Sequence, residues 1–184
     1  MPEREVFDLY TADRAKTDQM VFRGEPIPVG FYHLVVHICI FDSCGRMLIQ
    51  QRQPFKQGFS NLWDVSVGGS AVHGDNSQSA AERETFEELG LKVDLTDIRP
   101  ALTINWERGF DDYYVLKKDV DLNELHLQYE EVQSVRWAAL EEIEEMIDEG
   151  TFIPYEKGLI HLLFHLKDHS SAHTKPDPTA KQKG

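Results

Sequence analysis

Three glutamates on one predicted helix are the residues whose types and spacing most clearly suggest chemistry. Glu84, Glu87 and Glu88, in the segment SAAERETFEELGL, stand at positions i, i+3 and i+4, so a helix places them on one face. Like charges at this spacing repel each other by a few tenths of a kcal/mol per pair. A divalent cation would reverse that repulsion, because Mg²⁺ and Mn²⁺ prefer carboxylate oxygens as ligands. The spacing alone is equally typical of a solvated helix face, so the neighbouring residues must distinguish the two interpretations.

The residues around these glutamates predict how the helix is held in place. Asn76 or Ser77 is the expected N-cap, and Gly90 suits the C-terminal cap. Arg83 follows the acidic Asp75 of the preceding loop, and a guanidinium fork between them would attach the loop to the helix. The sequence therefore predicts a loop and a helix that are joined beside the glutamates.

The same segment resembles a known sequence signature, the Nudix box. The box reads G-x5-E-x7-R-E-U-x-E-E-x-G-U, in which U is aliphatic, and the match here runs from Gly69 to Leu91. Two positions depart from it. Asp75 replaces the first glutamate, which keeps the charge but shortens its reach, and Thr85 replaces an aliphatic residue. The resemblance extends beyond the box, over about residues 32–165.

The resemblance to the Nudix family implies both a fold and an activity. The fold is α/β, an α/β/α sandwich with a mixed β-sheet between helices. The activity is hydrolysis of a diphosphate linkage in a nucleoside diphosphate linked to another moiety, with Mg²⁺ or Mn²⁺ as cofactor. The metal ligands by position are Glu84, Glu87 and Glu88, and one of them or an acid outside the box is the general base. The resemblance also assigns Arg83 to the catalytic site and Gly69 to the substrate-binding surface.

Within the family, the residues around the box look most like the branch that includes isopentenyl diphosphate isomerase. That likeness predicts that Arg52 and Lys56 bind the substrate diphosphate. His33 falls on a metal-ligand histidine of the isomerase, although a structural role is the more usual one for a lone strand histidine. The isomerase cysteine and a second metal-binding histidine are replaced here by Gly68 and Ser70. We therefore expect a hydrolase; an isomerase-like enzyme and a non-catalytic nucleotide sensor are the alternatives.

An acid from outside the box is also expected at the metal site. Asp112, in FDDYYVL, aligns with the catalytic acid of the isomerase and is predicted to be a catalytic residue and metal ligand. Glu131, in YEEVQSVRW, is the competing candidate. Three aromatic residues nearby could stack on a base or pack in the core: Trp106, Phe110 and Tyr113.

The order of the elements predicts one main domain. Apolar residues on both faces of HLVVHICIF predict a strand covered on both sides, and LEEIEEMIDEG and YEKGLIHLLFHLKDH read as helices. We assign residues 1–28 to an N-terminal extension or hairpin and residues 29–168 to the Nudix domain. Residues 169–184 are polar and are predicted to be disordered.

Composition excludes several other functions. The net charge of −13, with no cluster of lysine and arginine, argues against nucleic-acid binding. No apolar run is long enough to cross a membrane, and the N-terminus lacks the apolar segment of a signal peptide, so a cytoplasmic location is expected. Cys39 and Cys44 do not make a disulfide framework. The expected partner is a small-molecule diphosphate; a homodimer is common in the family.

Overall fold

A mixed β-sheet lies at the centre of the protein. The computed structural model describes residues 4–169, and all elements below belong to that range. Strands β1 to β9 are Val6–Tyr10, Lys16–Phe22, His33–Phe41, Met47–Arg52, Trp63–Asp64, Val67–Ser70, Leu102–Trp106, Gly109–Lys117 and Val132–Ala138. Helices α1 to α3 are Ser77–Leu89, Leu140–Asp148 and Lys157–Leu166, and a 3₁₀ helix covers Leu122–Glu124.

The central strand of the sheet is β3. It pairs with β8 in parallel and with β6 antiparallel, and β7 extends the sheet beyond β8. On the edge opposite β8, the end of β3 also pairs with β4. Strand β4 in turn pairs with both β5 and β9. Because β3 and β8 are parallel while the other pairs are antiparallel, the sheet is mixed, as predicted.

Apolar side chains cover the sheet on both faces. Val36, Ile38 and Ile40 of β3 pack in one cluster with the buried face of α1. Cys39 and Phe41, on the opposite face of the same strand, pack in a second cluster with α2 and α3. This arrangement confirms the predicted α/β/α sandwich.

The N-terminal strands β1 and β2 form a separate antiparallel hairpin. Buried Asp8 holds this hairpin against the loop before α1. Its carboxylate accepts a hydrogen bond from the Gly74 backbone N–H at 2.9 Å, lies 2.7 Å from Nδ1 of His73, and pairs with Lys16 at 2.5 Å.

The predicted domain boundaries stay predictions. The predicted disordered tail, apart from His169, lies outside the described residues. None of the described helices combines the length and apolar character that a membrane crossing needs.

Candidate active site

Helix α1 carries the three glutamates and is firmly positioned at both ends. The Asn76 side chain accepts a hydrogen bond from the Ser79 backbone N–H at 2.8 Å, which makes Asn76 the N-cap. Gly90 ends the helix in the left-handed conformation at φ 66°. A side chain there would also meet His126, since an added Cβ would lie 2.8 Å from that residue's Cβ. Both geometry and space therefore require glycine at this position.

The middle of α1 explains why a threonine fits where the box has an aliphatic residue. Thr85 is fully buried, and its hydroxyl donates to the Ala81 carbonyl of the preceding turn at 2.7 Å. The polar group is therefore satisfied within the helix, and the methyl group is left to pack. The substitution changes little at the glutamate face.

Arg83 connects the loop and the helix as the spacing predicted. Its Nε and Nη2 donate to one carboxylate oxygen of Asp75, at 3.1 and 2.8 Å. Nη2 also donates to the Ser70 carbonyl at 3.1 Å, while Nη1 reaches Glu84 at 3.0 Å and Glu87 at 2.9 Å. The shorter side chain of Asp75 therefore still reaches Arg83, and the guanidinium orients two of the three glutamates.

The three glutamates line one cleft at different depths. Glu88 is 4% exposed and lies deepest, where Nε2 of Gln50 donates to its carboxylate at 2.8 Å. The side chain of Glu84 is 13% exposed, and that of Glu87, at the mouth, is 47% exposed. The cleft has a volume of about 240 Å³ and includes Gly69 in its wall. Carboxylates thus extend from solvent to the cleft floor.

Two cationic side chains from β4 and the loop after it face the same cleft. Arg52 and Lys56, predicted to bind diphosphate, both line it. Nε of Arg52 is buried and has no hydrogen-bond partner among the described residues. Lys56 forms an ion pair with Glu131, the alternative acid from outside the box, which also lines the cleft. Negative and positive groups that suit a metal ion and a diphosphate therefore meet in one place.

Burial sets the protonation of the deeper glutamates. Desolvation raises the pKa of Glu84 to about 7, against the opposing charge and hydrogen bond of Arg83. Burial also raises the pKa of Glu88 well above its ordinary value, and the nearby charges of Glu84 and Glu131 add to the effect. Both deeper carboxyls therefore favour the neutral form more than an exposed glutamate does.

The donor set fits a hard divalent cation. Glu84, Glu87 and Glu88 offer only oxygen ligands, which suits Mg²⁺ or Mn²⁺ better than a soft metal. In residues 4–169, no three acidic, histidine or cysteine side chains are already arranged as a set of metal ligands. Arg83 explains this, because it draws Glu84 and Glu87 to itself. Those carboxylates would rotate from the guanidinium to a cation.

Asp112 was expected at this site, and the structure places it elsewhere. It is fully buried and is absent from the described residues that line the glutamate cleft. Both its oxygens bind Arg14, at 2.9 and 2.7 Å, and the hydroxyls of Ser77 and Thr103 donate to it at 2.6 and 2.5 Å. Burial alone would raise the pKa of Asp112, but these hydrogen bonds lower it below the usual value. The aspartate joins the N-terminal hairpin to the sheet.

The neighbouring aspartate faces the opposite side of β8, because successive side chains in a strand alternate. Asp111 lies 3.6 Å from Nε2 of His37, and His37 lines the glutamate cleft. The ring of His37 stacks on Tyr113, and both its nitrogens are buried without hydrogen-bond partners in the described structure. Neither His37 nor Gln50, on the cleft floor, belongs to a motif that would have marked it in the sequence as part of the site.

The predicted aromatic candidates for base stacking are mostly in the core. Phe110 and Tyr113 are 4% and 2% exposed, so their ring faces are not available to a ligand. Trp106 is 40% exposed, and its ring N–H donates to Asp111 at 2.8 Å. Core packing is therefore the role of Phe110 and Tyr113. His33 likewise packs between the rings of Phe7 and Trp106.

Gly69 leaves room for the Glu84 carboxyl group. A Cβ at residue 69 would lie 2.1 to 2.5 Å from the three carboxyl atoms of Glu84. Gly69→Ala is expected to displace that carboxylate by about an ångström and to lower kcat about a hundredfold, with little loss of stability because only a side-chain end must move. Gly158→Ala, at a helix site with nothing within 4 Å, is the matched control. Equal rates for both variants would contradict this role.

Stability without metal should decrease as the pH rises through the range in which the Glu84 carboxyl ionises. Between its ordinary value of 4.5 and the folded value of about 7, the folded chain binds a proton that the unfolded chain has lost. The free energy of unfolding then falls by up to about 1.4 kcal/mol per pH unit. Mg²⁺ competes with that proton, so it should raise the Tm more at about pH 8 than at about pH 6. Thermal unfolding with Mg²⁺ and with chelator tests this; an equal rise at both pH values would contradict it.

The sandwich fold, with glutamates and two cations in one cleft, is the arrangement of an enzyme that acts on anionic substrates. Comparison with known proteins identifies the family. A model of the NUDIX domain matches residues 31–157. An uncharacterized Nudix hydrolase of Listeria monocytogenes is 45% identical over 169 residues, which is 92% of this chain and 99% of that protein. An isopentenyl-diphosphate Delta-isomerase of Serratia proteamaculans is 33% identical over 147 residues, 76% of this chain and 77% of that enzyme.

A solved structure gives the same result for the fold. The crystal structure of a Deinococcus radiodurans protein superimposes with a TM-score of 0.68 at 24% identity, covering 88% of this chain and 98% of the other. The chain therefore belongs to the Nudix family, and it is a Nudix-type hydrolase. Nudix hydrolases generally use divalent metal ions.

Proposed function

We propose that this protein is a Mg²⁺- or Mn²⁺-dependent hydrolase that cleaves a diphosphate linkage in a nucleoside diphosphate linked to another moiety. The observation that carries the proposal is the cleft itself. It combines Glu84, Glu87 and Glu88 with the cations Arg52 and Lys56. In a chain of net charge −13, a phosphate group would be repelled unless a cation and local basic groups offset its charge.

Each group in the cleft has a proposed part. A cation held by the three glutamates would offset the charge of the diphosphate and make a neighbouring water easier to deprotonate. The unpartnered Nε of Arg52 is available to a phosphate oxygen. Lys56 would exchange its ion pair with Glu131 for the substrate, which frees Glu131 to serve as the acid from outside the box. Glu131 takes this part in place of Asp112, and the general base is one of these carboxylates.

The structure gives a physical reason to place isomerase chemistry second. The cysteine of the isomerase corresponds to Gly68 here, and an added Cβ at that residue would lie 3.2 Å from Nδ1 of His37. A side chain at residue 68 would therefore fit only if His37 shifted by a few tenths of an ångström. Ser70 also lacks the imidazole that the isomerase uses at the matching position. In the described residues, Gly68 and Ser70 therefore lack the thiol and the imidazole that the isomerase uses, and a side chain at residue 68 would be tight against His37.

A substrate panel tests the proposal. Phosphate or nucleotide release would be measured from nucleoside triphosphates, nucleotide sugars, dinucleoside polyphosphates and isoprenoid diphosphates, each with Mg²⁺, Mn²⁺ or chelator. We expect metal-dependent hydrolysis of a nucleotide sugar or a related nucleoside diphosphate derivative. Turnover that persists in chelator, or isomerisation of isopentenyl diphosphate without hydrolysis, would overturn the proposal.

The cellular location and the type of substrate are also proposals. A cytoplasmic location is proposed, and the net charge of −13 favours an enzyme that acts on small molecules and not on nucleic acids. A homodimer stays a prediction. Sedimentation of the full chain tests it better than a variant without residues 1–28, because that segment carries Asp8, which is bonded to Gly74, and Arg14, which is bonded to Asp112.

A further inference from the structure

We propose that Phe55 and Tyr129 form the surface on which the planar base of the substrate stacks, at the mouth of the glutamate cleft. The inference rests on the proposed function and deepens it by naming a nucleoside as the part of the substrate that is recognised. The two residues come from different loops, one after β4 and the other before β9. Both are outside the Nudix box.

The two rings form a pair that is open to solvent. Their centroids are 5.8 Å apart, with the planes tilted by 41°. Phe55 is 57% exposed and Tyr129 is 72% exposed, so ring faces remain available although the rings touch. Aromatic rings at this separation interact favourably with each other and can accept a third ring. The pair is thus a ready surface for a planar group.

The pair lies directly beside the groups that would hold the diphosphate. Lys56, next to Phe55, and Gln128, next to Tyr129, both line the cleft. The backbone N–H of Gln128 donates to the Glu88 carbonyl at 3.0 Å, so the chain that carries Tyr129 is attached to the end of the glutamate helix. The ion pair between Lys56 and Glu131 joins the loop of Phe55 to the loop of Tyr129. A nucleotide whose phosphates occupy the cleft would therefore place its base within reach of both rings.

The loop that carries Phe55 is held in an unusual conformation. Phe59 and Asn61 have φ of 49° and 61°, a region that side chains with a Cβ seldom adopt. Further bonds hold the loop, since the Gln53 backbone N–H donates to the Glu131 carbonyl at 3.0 Å and the Ser60 hydroxyl donates to the Pro54 carbonyl. Backbone strain of this kind is retained where a loop has to present a surface. The loop exposes the rings of Phe55 and Phe59, and Phe55 is the one that pairs with Tyr129.

The surroundings of the pair favour a base over a hydrocarbon chain. Lys56 and Gln128, the chain neighbours of Phe55 and Tyr129, are polar residues of the cleft, and the rings themselves are open to water. A base can stack on such a surface because its polar edges stay hydrated, and stacking on aromatic side chains tolerates different bases. An isoprenoid tail gains its binding free energy from removal from water, which needs an enclosed apolar groove.

Binding of nucleoside monophosphates tests the inference without requiring turnover. Equilibrium dialysis with Mg²⁺ would compare AMP, GMP, CMP and UMP with ribose 5-phosphate, which has no base. We expect the wild-type chain to bind at least one nucleotide about tenfold more tightly than ribose 5-phosphate. Phe55→Ala and Tyr129→Ala should each remove most of that preference, and in hydrolysis they should raise KM about tenfold with kcat nearly unchanged.

Phe59→Ala is the matched control, because Phe59 lies in the same loop and is 54% exposed. It should keep the preference for nucleotides. Equal binding of nucleotides and ribose 5-phosphate by the wild type would overturn the inference, as would an equal loss in Phe59→Ala. A loss confined to isoprenoid diphosphates in the pair variants would assign the rings to a hydrocarbon chain instead. Equally fast hydrolysis of diphosphates with and without a base would overturn this inference alone, whereas absence of any hydrolysis would overturn the proposed function.

Discussion

Replacement of Glu88 with glutamine is expected to lower metal-dependent kcat at least about a hundredfold while leaving the metal-free protein no less stable. Glu88 is 4% exposed, and burial raises the pKa of its carboxyl well above the ordinary value. An amide has the shape of the protonated acid and can still accept the hydrogen bond from Gln50. It cannot supply a negative charge to a cation. The substitution should therefore lower kcat without lowering the free energy of unfolding.

The matched control is another glutamate on the same helix. Glu82 faces away from the cleft and accepts a hydrogen bond from the Leu95 backbone N–H at 2.6 Å, which a glutamine oxygen can also accept. Glu82→Gln should keep both the rate and the Tm. Steady-state kinetics and thermal unfolding in chelator measure the two effects. A Glu88→Gln variant with wild-type turnover, or one that unfolds several degrees earlier, would contradict a metal-binding role and indicate a structural one.

The second large effect is expected on stability, from Arg14→Met. Arg14 is the only cation that binds the fully buried Asp112 among the residues described, and without it a buried carboxylate would keep only two hydroxyl partners. Loss of one member of such a pair costs about 3 kcal/mol or more, because the remaining charge stays desolvated. Chemical denaturation should show this decrease at neutral pH. The hydrolytic rate well below the Tm should change little, since the pair lies outside the glutamate cleft.

A surface ion pair provides the comparison for that measurement. Lys157 pairs with Asp148 at 2.7 Å, and both side chains are largely exposed. Lys157→Met should change the free energy of unfolding by less than about 1 kcal/mol. If Arg14→Met changed the free energy of unfolding equally little, the ion pair between the hairpin and the sheet would not stabilise the fold as proposed. If it abolished turnover while the protein stayed folded, the sequence-based assignment of Asp112 to catalysis would be restored.

The parts of the site that the sequence predicted are those set by local geometry. Glutamate spacing on α1, the cap at Gly90 and the fork from Arg83 to Asp75 each depend on residues within a few turns of one another. A helix period and a cap are physical consequences of neighbouring residues, so a pattern along the chain is enough. The same holds for the two-sided burial of β3, which follows from apolar residues at consecutive positions.

The parts that the sequence missed depend on contacts between distant segments. The choice of Asp112 over Glu131 required knowing which of the two carboxylates faces the cleft, and in the structure Glu131 lines it while Asp112 lies outside. Arg14 lies far from Asp112 in the chain, and neither residue carries a signal of the other. The proposed stacking pair, Phe55 and Tyr129, was also not predicted, because an exposed aromatic residue in a loop belongs to no periodic pattern.

Manganese binding measured by electron paramagnetic resonance tests the central claim most directly, because it reports the glutamate site before any substrate is known. Wild-type protein and Glu82→Gln are predicted to bind Mn²⁺ with the same affinity, and Mg²⁺ should displace it. Glu88→Gln is predicted to lose at least about tenfold in affinity. Equal Mn²⁺ affinity in the wild type and in Glu88→Gln, or no Mn²⁺ bound by the wild type at all, would contradict the account.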